Sequence, residues 1–298
     1  MKNKRKSSLN KYTGFDIFLA VFFLIIVFIT LYPFLNVLAI SFNDSLDTIK
    51  GVNFIIPRKF TLDNYKYVFE KKDLLSPLTM SVARTVVGTV IGTICTAMLA
   101  YVLSRRDFYF NKLFTIMFII TMYVGGGLIP DYLLIGRTLK MTNKFSVYII
   151  PGLIGVFFLI LMRSFIEGLP EALQESARID GASDFRIWYK IILPLCKPVL
   201  ATVALFIAVS QWNSFMDTYI YARKMKTLQY VLYEVLNESS IKVSNIHDTT
   251  NLQNAIGNVT PQSIRMAITI IATIPIVVVY PFLQKYFVGG MTLGAVKD

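Results

Sequence analysis

Residues Glu171–Pro194 read EALQESARIDGASDFRIWYKIILP, a polar segment between two apolar runs that look membrane-spanning. Seven of its 24 residues are charged: Glu171, Glu175, Arg178, Asp180, Asp184, Arg186 and Lys190. A plain connecting loop needs no periodicity, yet this one has it. Leu173 and Ala177 stand four apart on one helix face, and Ala172, Ser176 and Ile179 form the adjoining stripe. Pro170 fits the first turn, where its missing N–H leaves nothing unsatisfied. Glu171 and Glu175 lie toward the positive end of the helix dipole. Glu175 and Arg178 have the i,i+3 spacing of an ion pair. Asp180-Gly181 ends the helix, because glycine enters the left-handed region cheaply. Ser183 can cap a second helix with Asp184 in its first turn. Phe185, Trp188, Tyr189 and Ile192 follow at helical spacing before Pro194 and Pro198 interrupt. The segment is therefore predicted to be a helix, a glycine turn and a second helix, both arms amphipathic.

Such an arm can lie on a membrane surface or dock on a protein. Surface helices carry mainly Lys and Arg on the polar face. Here four acids (Glu171, Glu175, Asp180, Asp184) balance four bases once Arg163, just upstream, is included (Arg163, Arg178, Arg186, Lys190). Balanced charge favours a protein partner over anionic lipid.

The composition says what the arm is attached to. The chain has 298 residues, 55% hydrophobic and 16% charged, against about 25% charged in soluble domains. An integral membrane protein is expected. The net charge of +12 is spread over short loops with no aromatic-interleaved basic strip, so it fits charges flanking membrane segments rather than a nucleic-acid surface. With one histidine, His247, and two scattered cysteines, Cys95 and Cys196, no metal cluster and no disulfide are expected. No catalytic constellation is recognised, which excludes a membrane-embedded enzyme. No GxxxxGK[ST] phosphate loop is present, so the chain is not expected to hydrolyse ATP.

Six segments have the length and apolarity of spans: residues 15–40, 77–103, 113–135, 145–162, 198–215 and 264–288. The first follows the basic MKNKRKSSLNKYTGF, but it is too long for a signal-peptide core and lacks a small-x-small cleavage site. It is read as an uncleaved helix. The polar connections are 41–76, 104–112, 136–144, 163–197 and 216–263. With six spans, both termini share a side with 163–197, and the long loops 41–76 and 216–263 lie opposite. Lys and Arg are almost evenly divided between the two sides. The basic N-terminal segment, with no acid before Asp16, favours cytoplasmic termini.

Inside the spans the charge is sparse. Arg84 is the clearest, and no Asp or Glu lies mid-span. That argues against the alternative of a secondary transporter or channel not driven by ATP, because ion coupling usually uses buried carboxylates or broken-helix ion sites. Gly88 and Gly92 have the spacing of close helix packing, which is also ordinary membrane-helix composition. TMYVGGGLIPDYLL (121–134) puts three glycines and Pro130 into a span. It reads either as a pathway-lining bend or as a plain span end. Leu228, Val231, Leu232, Val235 and Leu236 predict a helix in the last long loop.

The opening segment also resembles a known family. Glu171-Ala172-Leu173, Ala177, Asp180-Gly181-Ala182 and Ile191-x-Leu193-Pro194 are similar to the EAA loop of ABC-importer permeases. FTLDNYKYVF (60–69), GGLIPDYLL (126–134), LMRSFIEGLP (161–170) and GGMTLGAVKD (289–298) resemble the sugar-importer branch, in the maltose-type smaller membrane subunit, associated with oligosaccharides and polysaccharide fragments. Leu173 departs from the triplet's second Ala, and Asp298 stands where the family often ends in Gly. The resemblance implies an all-α membrane protein of type I importer architecture, one permease domain over 1–298, with coupling helices between spans four and five. It implies a second permease subunit, two ATPase subunits that bind ATP and Mg, and an external sugar-binding protein, with membrane lipid around and no nucleic acid. It assigns Glu171, Ala172, Leu173, Ala177, Asp180 and Gly181 to the ATPase contact, with Gly289 and Gly290 of the tail touching it too. In this family the loop 216–263 reaches toward the binding protein; a helix packed across the outer face fits the same residues. Tyr123, Tyr132, Trp212 and Asn213 are candidates for a sugar path, since sugars stack on aromatics; aromatics near span ends also serve as interface anchors.

Overall fold

The computed structural model describes residues 14–51, 53–71, 74–243 and 259–292. They form fourteen helices: α1 Gly14–Ser41, α2 Ser45–Lys50, α3 Asp63–Lys71, α4 Leu75–Ser104, α5 Asn111–Tyr123, α6 Leu128–Tyr132, α7 Val156–Glu167, α8 Ala172–Ile179, α9 Asp184–Ile187, α10 Leu193–Leu195, α11 Lys197–Asn213, α12 Met216–Tyr221, α13 Leu228–Val243 and α14 Pro261–Thr292. Turns of π-helix at Leu133–Thr138 and Trp188–Ile192 and of 3-10 helix at Phe145–Tyr148 join them. Among the described residues the only β-pairing is the isolated bridge Asn43–Phe60.

Among the described residues three helices are long and apolar enough to cross a membrane: Gly14–Ser41, Leu75–Ser104 and Pro261–Pro281. The number rises to five if two bent pairs each count as one crossing. The first pair is Asn111–Tyr123 with Leu128–Thr138, bent by 113°. The bend falls on the triple glycine, where Gly127 has φ +85°, a conformation that glycine enters without steric cost. The second pair is Asp184–Leu195 with Lys197–Asn213, bent by 83°. The expected fourth span differs most. Residues 145–162 are not one helix; α7 starts at Val156 and has 12 residues, about 18 Å of rise against a hydrocarbon core of about 30 Å. Pro151 and Gly152 explain this. Proline inside a helix removes a donor and clashes with the preceding turn, and the chain takes short turns instead (Ile150 N to Ser146 O 2.9 Å, Leu153 N to Ile150 O 3.3 Å).

The described residues group into two compact units, those within 1–68 and 246–270 and those within 69–245 and 271–298. In the first, α1 is apolar along its length and exposed among the described residues, with only Ala39, Ile40 and Ser41 buried at its end, as suits a lipid-facing helix. The loop after it is an ordered knot. Asn43 is fully buried; its Nδ2 donates to Asp47 Oδ2 (3.0 Å) and Thr48 Oγ1 (2.9 Å), while its Oδ1 accepts from Lys59 N (2.7 Å). Asn64 Nδ2 donates to the Ser41 and Asn43 carbonyls at 2.9 Å each. The Asn43 amide, helped by Arg58, holds the Asp47 carboxyl below the ordinary range.

In the second unit α4 is the centre, packed on α11 and α7. Lipid tails are as apolar as leucine, so close approach of small residues takes over from the hydrophobic effect between such helices. Gly88 and Gly92 supply it. A Cβ at Gly88 would lie 2.9 Å from Gln211 of α11, and one at Gly92 would lie 3.5 Å from Ile207. Ala97 and Ala100 of α4, Met162 of α7 and Val203 of α11 continue the same core.

Candidate functional site

The charged arm folds as two helices with a glycine joint. α8 ends in a Schellman motif: Gly181 N–H donates to Arg178 O at 3.0 Å and Ala182 N–H to Ala177 O at 2.9 Å. Gly181 has φ +75°, so glycine is the residue without strain there. Three details differ from the sequence reading. Pro170 lies one residue before the N-cap Glu171, outside the helix. Ser183 takes the extended N-cap conformation, but its side chain makes no capping bond. Arg178 pairs with Asp107 at 3.6 Å instead of Glu175, because the 105–107 segment brings a competing carboxylate to it.

That segment is the arm's cradle. Arg105 bonds both Asp107 and Asp184, and Arg106 reaches Glu171 at 3.1 Å. The Arg105 guanidinium holds the Asp107 carboxyl down to about 2, and Asp107, together with Asp184, pushes Arg105 above its ordinary value. A polar cavity of about 560 Å³ lies between this segment, the end of α7 and α8, lined by Arg105, Arg163, Glu167, Glu171 and Arg178 among others.

The apolar residues of the arm split into two faces. Ala177, Ile187, Trp188 and Ile192 are buried in the core shared with α4, α7 and α11. Leu173, Ile179, Phe185 and Tyr189 are instead 39%, 87%, 65% and 58% exposed. Ala172, Asp180 and Gly181 are exposed beside them. A single amphipathic helix needs one apolar face; the second set is left uncovered by the described residues. The structure thus groups Glu171, Ala172, Leu173, Asp180 and Gly181 on the outside, and Ala177 alone of the coupling candidates turns inward. Sequence reasoning did not single out Ile179, although it stood in the Ala172–Ser176 stripe.

The sugar-path candidates scatter. Tyr123 is 80% exposed. Tyr132 stacks on Tyr221 with ring centroids 5.9 Å apart. Trp212 is buried, and its indole N–H donates to Ala272 O at 2.9 Å. Asn213 beside it is exposed and accepts from Gln229 at 3.5 Å. Gly289 and Gly290 fall in the last turns of α14. Their surroundings, the tail 293–298, His247 and the basic segment 1–13 lie outside the described residues.

A second polar centre was half visible. Arg84 is 2% exposed. Its Nη2 donates to Asp217 Oδ2 at 2.6 Å, its Nε and Nη2 to Gln211 Oε1 at 3.1 and 2.9 Å, and its Nη1 to Ser214 O at 3.3 Å. The guanidinium also lies 4.5 Å from the centre of the Tyr148 ring. The Gln211 amide turns its donor to Tyr148 O (3.1 Å), and Ser214 Oγ donates to Asp217 (2.9 Å). The sequence showed Arg84 but not its counter-ion, because Asp217 follows 133 residues later, beyond the fifth apolar run.

No family model matches the chain. It is 34% identical over 283 residues to the polygalacturonan/rhamnogalacturonan transport system permease protein YtcP of Bacillus subtilis, covering 95% of this chain and 98% of that one. It is 41% identical over 271 residues to protein LplC of the same organism, covering 90% of each. It is 29% identical over 286 residues to the arabinooligosaccharides transport system permease protein AraQ of Halalkalibacterium halodurans, covering 94% and 95%. Its fold matches a chain in the crystal structure of a bacterial ABC transporter involved in the import of the acidic polysaccharide alginate, with TM-score 0.82 and 28% identity over 93% of this chain and 99% of that one.

Proposed function

The chain belongs to the permease subunits of sugar-transporting ABC systems, and from that premise we propose that it is one half of the membrane pathway of an ATP-driven oligosaccharide importer. A secondary transporter or channel not driven by ATP is a different family. The relatives' names, which include polymers of galacturonate and oligomers of arabinose, support an oligosaccharide cargo.

Residues 1–298 act as one transmembrane permease domain that crosses the cell membrane six times, with both termini cytoplasmic. A second permease completes the pathway, an external sugar-binding protein delivers cargo, and two ATPase subunits bind ATP and Mg. This chain is not the catalyst. The arm Glu171–Ile192 is the coupling element, seated on an ATPase subunit through Glu171, Ala172, Leu173, Asp180 and Gly181, with Ile179 at the centre and Ala177 anchoring α8 to the core; the tail at Gly289 and Gly290 adds a second contact. Closure of the ATPase pair then moves the arm as a rigid body and rocks the spans between inward- and outward-facing states.

The observation that carries this is the arm's second apolar face, with Ile179 87% exposed amid balanced charge, which fits a protein groove better than either water or anionic lipid. The test uses the importer assembled in membranes. Ile179→Cys is expected to crosslink to an ATPase subunit carrying cysteines around its groove. Ile179→Glu, which puts a charge into that apolar contact, is expected to lower transport at least about tenfold at normal permease levels. Full transport by Ile179→Glu, with no crosslink from Ile179→Cys, would remove the assignment.

A further inference from the structure

The buried Arg84 network and the charged arm are attached to opposite ends of one helix. α11, Lys197–Asn213, is 17 residues long, about 26 Å of rise. Its start follows Cys196 and the arm across the 83° bend. Its end carries Gln211, and the chain passes directly on to Ser214 and Asp217. Among the described residues, the hydrogen-bond partners of the Arg84 guanidinium all come from this one stretch, Gln211–Asp217. The Tyr148 ring and the α12 helix are tied to the same point, since Tyr148 Oη lies 3.1 Å from Thr218 Oγ1 and donates to Met225 O at 2.6 Å.

A buried ion pair is weak evidence for stability, because desolvation offsets its attraction and an apolar pair of similar volume is often as stable. Its use here is geometric. The planar guanidinium fixes three acceptors in one orientation, and Gly88 keeps the space that Gln211 occupies, since a Cβ there would come within 2.9 Å of it. Asp217, by contrast, is 37% exposed, so its hold on Arg84 can be released without unpacking the core.

We infer that Arg84 and Asp217 form a positioning latch for transport: they fix the far end of α11 to α4, so that movement of the arm at its near end reaches the segment that opens into α12 and α13. This rests on the coupling role proposed for the arm. Neither residue is assigned to bind sugar or ATP.

The test reads ATP hydrolysis by the reconstituted importer with and without loaded binding protein. Asp217→Asn keeps the shape and removes the charge. It is expected to lower the maximal stimulated rate about tenfold, with the unstimulated rate and the half-saturating concentration of binding protein within about twofold of the parent. Asp217→Glu is expected to restore most of the stimulation. Arg84→Gln should give the same loss, and the double variant should be no worse than either single one, as for two members of one interaction. If Arg84→Gln fails to accumulate, the Asp217 pair of variants decides alone. Full stimulation in Asp217→Asn overturns the latch. So does a loss confined to the half-saturating concentration, which would make Asp217 part of a docking surface. Ile179→Glu is run beside it. Loss there with retention in Asp217→Asn removes the latch and leaves the coupling arm standing. Retention there with loss in Asp217→Asn overturns the arm's coupling role, and with it the latch as the carrier of the arm's movement.

Discussion

At the scale of single residues, Gly181 and Ile179 do the most with the least. Gly181 at φ +75° lets α8 stop and the chain turn into α9 within four residues. No atom of the described residues lies within 4 Å of a Cβ built there, so within this chain the penalty of a side chain is backbone strain, roughly 1–2 kcal/mol for an L-residue in the left-handed region. Asparagine tolerates that region better than β-branched residues do. Gly181→Asn is therefore expected to keep most of the stimulated ATP hydrolysis and Gly181→Val to lose it, both at normal expression. Equal activity in the two variants would mean that the joint's backbone does not matter. This residue was legible in the sequence, because Asp-Gly after an amphipathic run is a local signal. Ile179 was not, because its exposure depends on which way the core turns α8.

At the scale of elements, the arm owes its orientation to a segment that is distant in sequence. Arg105 joins Asp107 and Asp184, and Arg178 joins Asp107. Each pair is exposed on its acidic side, so each is worth at most about 1 kcal/mol; together they fix the angle between α9 and the end of α4. Arg105→Ala should leave the fold intact but loosen the arm, seen as faster tryptic cleavage at Arg178 and Arg186 and a several-fold loss of transport, roughly 1 kcal/mol in coupling. Unchanged cleavage and transport would show that apolar packing of Ile187 and Trp188 suffices. The Asp107 carboxyl is held near 2, below the ordinary carboxylate value of about 3.9. Its contribution to stability is therefore present above about pH 4 and lost as pH falls through about 2. The i,i+3 rule pointed to Glu175 for Arg178. Tertiary structure overrode it, since a local pair worth a few tenths of a kcal/mol yields to a charge network.

At the scale of the whole molecule, hydropathy located helices well where they are continuous and poorly where they break. α1, α4, α11 and α14 overlie the expected runs within a few residues. The run 145–162 was apolar enough to pass as a span, and Pro151 was the signal against one helix. The six crossings proposed above predict sidedness. Cysteines placed one at a time at Ile179 and Lys226, in a chain lacking Cys95 and Cys196, should react with an impermeant maleimide from opposite faces of the membrane, Ile179→Cys from the cytoplasmic face. Labelling of both from one face would refute the six-crossing topology.

The sequence by itself determined that this is a helical membrane protein with a two-armed charged helix, because apolar length, glycine joints and helical spacing are local properties of the chain. Only the tertiary structure decided which arm residues stay uncovered, which carboxylate answers Arg84, and that α11 joins the two. Those depend on contacts between residues far apart in sequence, such as Arg84 with Asp217 and Arg105 with Asp184, and no local periodicity encodes them.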